Sequence, residues 1–389
     1  MDKFIPLSVP NLKGNEKKYV IEAIESEWVS TGGQFIDRLE QEIAYYLKVQ
    51  GAVACQSGTA GLHLALQLSG VGYGDAVFAP TLTFIAAVNP IRYLGASPIF
   101  IDCDSSLTMD DKKMLQYIEE ECYYDGEGLY CKETKQRIKA VIVVHIFGNA
   151  AHMEEIMSIA KKYKLKVIED ATEALGTYYT NGTYKDAFLG TIGDFGVYSF
   201  NGNKIITTGG GGILVAKEQS SITKAKYLST QAKDDPLYYE HQEIGYNYRM
   251  TNVQAAIGVG QLEQLEDFIE IKKKNYLLYK RLLKDVSEIE LLDFDTSIRP
   301  NYWFYALLIK GDRIERDRLI KELQVQGIQT RPIWGLIHEQ KPYRGSLKGS
   351  ITEANYYRSH IINIPCSSNL SEVEVRRVVD TIKELIGER

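Results

Sequence analysis

A chain of 389 residues can bury a large core and exceeds the size of most single domains, so two domains meeting at a shared cleft are expected. Hydrophobic residues make up 44% and charged residues 25%, an ordinary globular balance, and no apolar run approaches the ~20 residues that span a bilayer. The net charge of -6 offers no basic footprint for nucleic acid, and the opening MDKFIPLSVPNLKG lacks the apolar stretch of a secretory signal, so a soluble cytoplasmic protein is expected.

Residues 15–30, NEKKYVIEAIESEWVS, set apolar side chains three and four apart, which predicts an amphipathic helix ending near Ser30. A second helical pattern over residues 35–47 leads into the apolar GAVAC, a small-residue turn at Ser57, Gly58 and Thr59, and the helical GLHLALQLSG. A helix opening directly after a strand points free amides and its positive end outward, and Gly58 lets an anion come close. The plainer reading of Ser57 or Thr59 is a helix cap.

The middle of the chain repeats short apolar runs, DAVFAP, SPIFIDC, AVIVVHIFG, KVIEDA, FGVYSF and GGILVA, alternating with helical patterns such as MEEIMSIAKKY. That alternation predicts an α/β domain with a mainly parallel sheet, whose ligands sit at the carboxyl ends of the strands. The five cysteines are odd in number and scattered, which opposes a disulfide framework. Cys122 and Cys131 flank the polar DGEG and read as incidental thiols on a solvent-facing hairpin, with no Cys or His pair beside them to make a zinc site.

Asp170 ends the run KVIED, where a carboxylate can either cap a helix or pair with a protonated ring nitrogen. Lys204 lies five positions after Ser199 in FGVYSFNGNKIITTGGGG. A partly desolvated lysine loses its proton readily, condenses with an aldehyde and later shuttles protons as the freed amine. Taken singly each of these residues has an ordinary structural explanation; the combination of phosphate turn, strand-end carboxylate and enclosed lysine is what points to transamination. The glycines 209–212 precede a strand-like run and lack the GxGxxG spacing, so they are not a dinucleotide loop. Beyond residue 251 the pattern predicts one long charged helix over VQAAIGVGQLEQLEDFIEIKKKNYLLYKRLL, then the strand-like YWFYALLIK, the helical RIERDRLIKELQVQG and a closing helix over 371–386. The expected division is a large domain over 1–250 and a smaller α+β domain over 251–389.

In order and spacing, SGTAGLHLAL, PTLTFIAAVN, VIEDATEALG, YSFNGNK, GYNYRMTNVQAA and GIQTRPIW followed by His338 resemble the DegT/DnrJ/EryC1/StrS family of sugar aminotransferases across nearly the whole chain. The resemblance implies the type I pyridoxal-phosphate fold of aspartate aminotransferase. It implies that Gly58, Thr59 and Ser199 hold the cofactor phosphate, that Phe84 stacks on the pyridine ring, and that Asp170 pairs with the ring nitrogen. Lys204 would be the Schiff-base lysine and acid-base catalyst. Asn247 would reach the phosphate bound by a neighbouring subunit, making the active unit a homodimer with shared sites. Two positions depart from the common pattern. Glu173 stands where many relatives carry His or Gln near the ring oxygen, and Gly210 stands where an acidic residue is usual. Dehydratases of the family replace the lysine with histidine, which Lys204 opposes.

The implied reaction moves an amino group from glutamate to C4 of a nucleotide-linked 4-keto-6-deoxy sugar. NGNKIITTGGGG and TRPIW look nearest to enzymes using UDP-linked N-acetylated sugars, with Arg331 and His338 as candidate contacts to the nucleotide sugar. The alternatives are a GDP- or dTDP-linked sugar, or a non-catalytic protein that binds the cofactor without turning over.

Overall fold

In the computed structural model, which describes residues 4–235, 237–311 and 313–387, the apolar runs form the strands of one large mixed sheet. Its main strands are β1 (Ala52–Cys55), β2 (Ala76–Pro80), β3 (Ser97–Ile101), β4 (Arg137–Val144), β5 (Lys166–Asp170), β6 (Phe195–Ser199) and β7 (Gly212–Ala216). They lie in the order β1-β7-β6-β5-β4-β2-β3. From β6 through β5, β4 and β2 to β3 all neighbours are parallel, and β7 runs antiparallel to both β6 and β1. Two successive reversals leave β1 pointing the same way as β6. The ends of β1, β2, β4, β5 and β6 therefore open on one edge, and the residues that follow them are gathered there. Burial of these strands on both faces explains why their sequences are continuously apolar and not alternating.

Helices α1 (Glu16–Glu25), α2 (Gln34–Leu47), α3 (Gly58–Leu68) and α4 (Met153–Tyr163) precede or cover this sheet. In α4 the buried residues Met153, Ile156, Ile159, Ala160 and Tyr163 form the single apolar stripe that the sequence spacing predicts. The predicted first helix stops at Glu25, short of Ser30. The predicted long helix is two: α5 (Asn252–Leu262) and α6 (Leu265–Leu283). Gly260 lets α5 press against the start of α1, because a Cβ there would stand 2.7 Å from the Glu16 backbone nitrogen. Charge periodicity runs straight through this break, which packing imposes.

A second sheet is built from β8 (Ile289–Leu291), β9 (Tyr305–Ile309), β10 (Arg331–Pro332) and β11 (Ile361–Ile364), in the order β8-β9-β11-β10. The N-terminal segment joins this half: Ile5 bridges Ile328, and the Cys366 N–H donates to the Leu7 carbonyl. The expected hairpin forms with Cys122 directly opposite Cys131, but both thiols are buried and not solvent-facing. Here strand alternation turns the cysteines inward and leaves Tyr123 exposed. Among the described residues no helix is long and apolar enough to cross a membrane.

Candidate active site

The strand ends and the segments beyond them enclose a cavity of about 390 Å³. Gly58, Thr59, Phe84, Asp170, Glu173, Ser199 and Lys204 all line it. Ser57 caps α3, its side chain accepting the Ala60 N–H at 3.1 Å, so the helix-cap reading is correct. The cap and the ligand site do not compete, because the amides of Gly58 and Thr59 at the first helical positions have no intrahelical partner. A Cβ on Gly58 would meet Ser199 Cβ at 3.0 Å and Thr172 Cγ2 at 3.1 Å, so glycine is what allows the helix start to approach β6 this closely.

Asp170 and Glu169 end β5 on opposite faces of the sheet. The Asp170 carboxylate is almost fully buried, and Oδ1 accepts the Thr172 N–H at 3.1 Å. Burial raises its pKa, while hydrogen bonding to Thr172 and the charge of Lys204 oppose that rise. Glu169 faces away from the cavity, into a nest of donors: Gly190, Ile192 and Gly193 N–H at 2.8, 2.7 and 2.6 Å, and His145 Nε2–H at 2.8 Å. His145 Nδ1 accepts the Ala151 N–H at 3.3 Å, which places the ring proton on Nε2.

Lys204 reaches into the cavity from the loop after β6, with Nζ 3.6 Å from Glu173 Oε1 and 4.3 Å from the centre of the Trp303 ring. The other Glu173 oxygen accepts the Phe147 N–H at 2.8 Å. Burial lifts the Glu173 pKa to about 7, the Lys204 charge notwithstanding. Phe84 is half-exposed at the rim, beside Trp334 with ring centres 6.4 Å apart.

Asn247, Arg331 and His338 lie outside the cavity lining. Asn247 is exposed beyond β1, in a segment that pairs with Thr230 and delivers the Tyr248 carbonyl to the Gln56 N–H. Arg331 is exposed at the start of the edge strand β10. His338 is half-buried and bonded through Nδ1 to Thr81 Oγ1 at 2.6 Å, which docks its segment on the end of β2. Conversely, Thr83, Asn201, Asn203, Trp303 and Trp334 line the cavity and were not singled out from the sequence. Thr83, Asn201 and Asn203 lie within three residues of predicted site residues and could have been inferred from proximity. Trp303 sits in a strand-like apolar run that reads as core, and no one-dimensional signal separates it from its neighbours.

This arrangement fits pyridoxal phosphate. The free amides of Gly58 and Thr59 open a helix beside the Ser199 hydroxyl, the Asp170 carboxylate has spare lone pairs for a protonated ring nitrogen, and Lys204 is an enclosed amine within the same cavity. Sheet order and cavity together define an α/β aminotransferase of the pyridoxal-phosphate type. The chain belongs to the DegT/DnrJ/EryC1/StrS aminotransferase family, whose model matches residues 10–383. It is 36% identical to the putative pyridoxal phosphate-dependent aminotransferase EpsN of Bacillus subtilis, over 99% of this chain and 96% of that protein. It is also 36% identical to a GDP-perosamine synthase of Escherichia coli O157:H7, over the full length of both. The solved structure of the aminotransferase TlmJ from Streptoalloteichus hindustanus superposes with a TM-score of 0.89 at 25% identity, over 99% of this chain and all of that one. The activity is accordingly that of a sugar aminotransferase.

Proposed function

We propose that this protein transfers the amino group of glutamate to C4 of a GDP-linked 4-keto-6-deoxy sugar, working as a homodimer. The observation that carries the reading is the meeting of Lys204, Asp170 and the Gly58 cradle in one cavity at the carboxyl edge of the sheet. Pyridoxal phosphate, when bound, supplies an aldehyde that accepts and releases amines and a ring that withdraws the electrons freed at carbon. The amides of Gly58 and Thr59 and the Ser199 hydroxyl bind its phosphate. Asp170 would stabilise positive charge at the ring nitrogen, and Phe84 would cover the ring face. Lys204 Nζ would hold the cofactor covalently and, as the free amine, would move the proton at the reacting carbon. Glu173, 3.6 Å from Lys204 Nζ, would hold the lysine and offer the ring oxygen a partner.

Asn247, exposed and outside the lining of its own cavity, would reach the phosphate bound by the second copy of the proposed homodimer. Arg331 would offer a bidentate guanidinium to a diphosphate, and His338, held by Thr81, would be a further contact to the nucleotide sugar. The GDP-linked reading is supported by full-length similarity to proteins named GDP-perosamine synthase, including one from Caulobacter vibrioides at 34% identity. That support outweighs the motif likeness on which a UDP-linked N-acetylated sugar was expected.

Glutamate added to the cofactor-loaded protein should bleach its visible band, and a Lys204→Ala variant should show no such band. Retention of the band with glutamate identifies a non-catalytic binding protein and defeats the reading. GDP-, UDP- and dTDP-linked 4-keto sugars assayed side by side then decide the nucleotide; a preference of tenfold or more in kcat/KM for UDP would overturn the GDP assignment.

A further inference from the structure

We propose that Trp303 is the positioning residue for Lys204: one side chain from the smaller sheet fixes the backbone before the lysine through its indole N–H and holds Nζ against its ring face. The proposal rests on Lys204 being the cofactor-bearing lysine.

Trp303 is 2% exposed and belongs to the strand-entry segment of β9, a hundred residues from the loop it grips. Its Nε1–H donates to the Asn203 carbonyl at 2.7 Å, and Ser8 Oγ donates to the same carbonyl at 3.3 Å. The peptide link entering Lys204 is thus tied down from two sides. At the far end of the side chain, Nζ stands 4.3 Å from the Trp303 ring centre, well inside the ~6 Å over which a ring face attracts an ammonium. A lysine side chain has four rotatable bonds and no preferred direction of its own; a single ring that contacts both its root and its tip removes most of that freedom.

The ring cannot easily move away. Phe304 stacks on it at 3.9 Å between centroids, and the Trp303 N–H donates to Asn301 Oδ1 at 3.0 Å. Asn301 in turn donates through Nδ2 to the carbonyls of Glu173 and Leu175, each at 2.9 Å. The segment 301–303 therefore holds both members of the Lys204 and Glu173 pair, the tryptophan gripping the lysine and the asparagine gripping the backbone of the glutamate. The carboxylates facing Lys204 come from the end of β5, Asp170, and the turn after it, Glu173; the ring comes from the other half of the chain. A tryptophan present only to fill the core would need neither the bond to Asn203 nor an orientation that presents its face to Nζ.

The test uses the cofactor-loaded wild type with Trp303→Phe and Trp303→Leu variants. Two readouts separate positioning from plain stability: the visible circular dichroism of the bound cofactor, and the single-turnover rate with glutamate carrying hydrogen or deuterium at Cα. In Trp303→Leu the visible signal per bound cofactor should fall by about half, and the half-reaction should slow by about 30-fold with a larger isotope effect, as expected when a proton carrier is misplaced by about an ångström. Half-saturation by glutamate should stay within about threefold, since substrate binding is untouched. Trp303→Phe, which keeps a smaller ring face and loses the N–H to the Asn203 carbonyl, should fall between wild type and the leucine variant in both rate and isotope effect. A leucine variant with wild-type dichroism and isotope effect overturns the proposal, as does a phenylalanine variant as impaired as the leucine one. Should the leucine variant fail to fold, tetrafluorotryptophan at position 303 decides, because it keeps shape and N–H but weakens the ring face: a raised isotope effect supports the proposal and an unchanged one overturns it. Absence of a visible band in the wild type overturns both this role and the aminotransferase mechanism, whereas a normal wild type with an unaltered leucine variant removes only the role of Trp303.

Discussion

Glu169 and Asp170 are adjacent carboxylates at the end of one buried strand, yet they occupy opposite chemical situations. On one face Glu169 receives three backbone amides and the His145 imidazole, and each of its oxygens accepts two donors. On the other face Asp170 accepts the Thr172 N–H and turns its remaining capacity to a cavity. A complete nest of protein donors makes a buried carboxylate a structural staple, tying β5 to the loop 190–193. A buried carboxylate left short of donors is costly unless a ligand completes it. The difference locates function by deficit: Asp170 is the residue whose surroundings make sense only with a cation in the cavity.

That contrast can be broken most severely at Asp170. Asp170→Asn keeps the volume and can still accept the Thr172 N–H, so cofactor-free stability should change by less than about 1 kcal/mol, measured by urea unfolding. Its transamination rate should nevertheless fall by about a thousandfold, equivalent to about 4 kcal/mol of transition-state stabilisation. Activity within tenfold of wild type would remove Asp170 from the mechanism.

The reverse pattern is expected at its neighbour. Glu169→Gln places an amide group among donors, leaving at least one of them facing NH₂, and should cost about 3–5 kcal/mol of unfolding free energy. Any protein that still folds should bind cofactor normally. A stable variant with impaired cofactor binding would mean that the two faces of β5 are not separable.

Glu173 is an intermediate case, and pH resolves it. Its folded-state pKa is about 7 against an ordinary 4.5, raised by burial, so between those values the unfolded chain has released a proton that the folded one retains. In the cofactor-free protein this contribution to stability is complete below the unfolded value, declines as pH rises through the window, and is absent above pH 7. The shift corresponds to at most about 3 kcal/mol. Glu173→Gln should flatten this part of the stability curve; an equal slope in both proteins would show that Glu173 is already ionised when folded.

The motif residues of the large sheet were legible because each ends one of its strands or lies within a few residues of a strand end. Strand-end position is a local property, read from an apolar run and the residue that terminates it, and parallel packing then brings all such ends to one edge. Gly58, Asp170 and Lys204 were read from such local segments, and Ser199 from the family resemblance. The break between α5 and α6 and the burial of Cys122 and Cys131 were not, since helix periodicity continues through a break caused by packing, and a hairpin's inward face depends on what it lies against. His338 illustrates the same boundary: its residue type suggested a polar contact, but the partner, Thr81, is 257 positions away.

By itself the sequence determined the α/β class, the family and the chemical identity of the groups offered to a cofactor, because these rest on local periodicity and short motifs. Only the tertiary structure decided which carboxylate of the Glu169 and Asp170 pair is satisfied, which aromatic rings line the cavity, and that Trp303 meets Lys204. Those outcomes depend on contacts between segments a hundred or more residues apart, where burial and hydrogen-bond supply are set by the packed fold and leave no pattern along the chain.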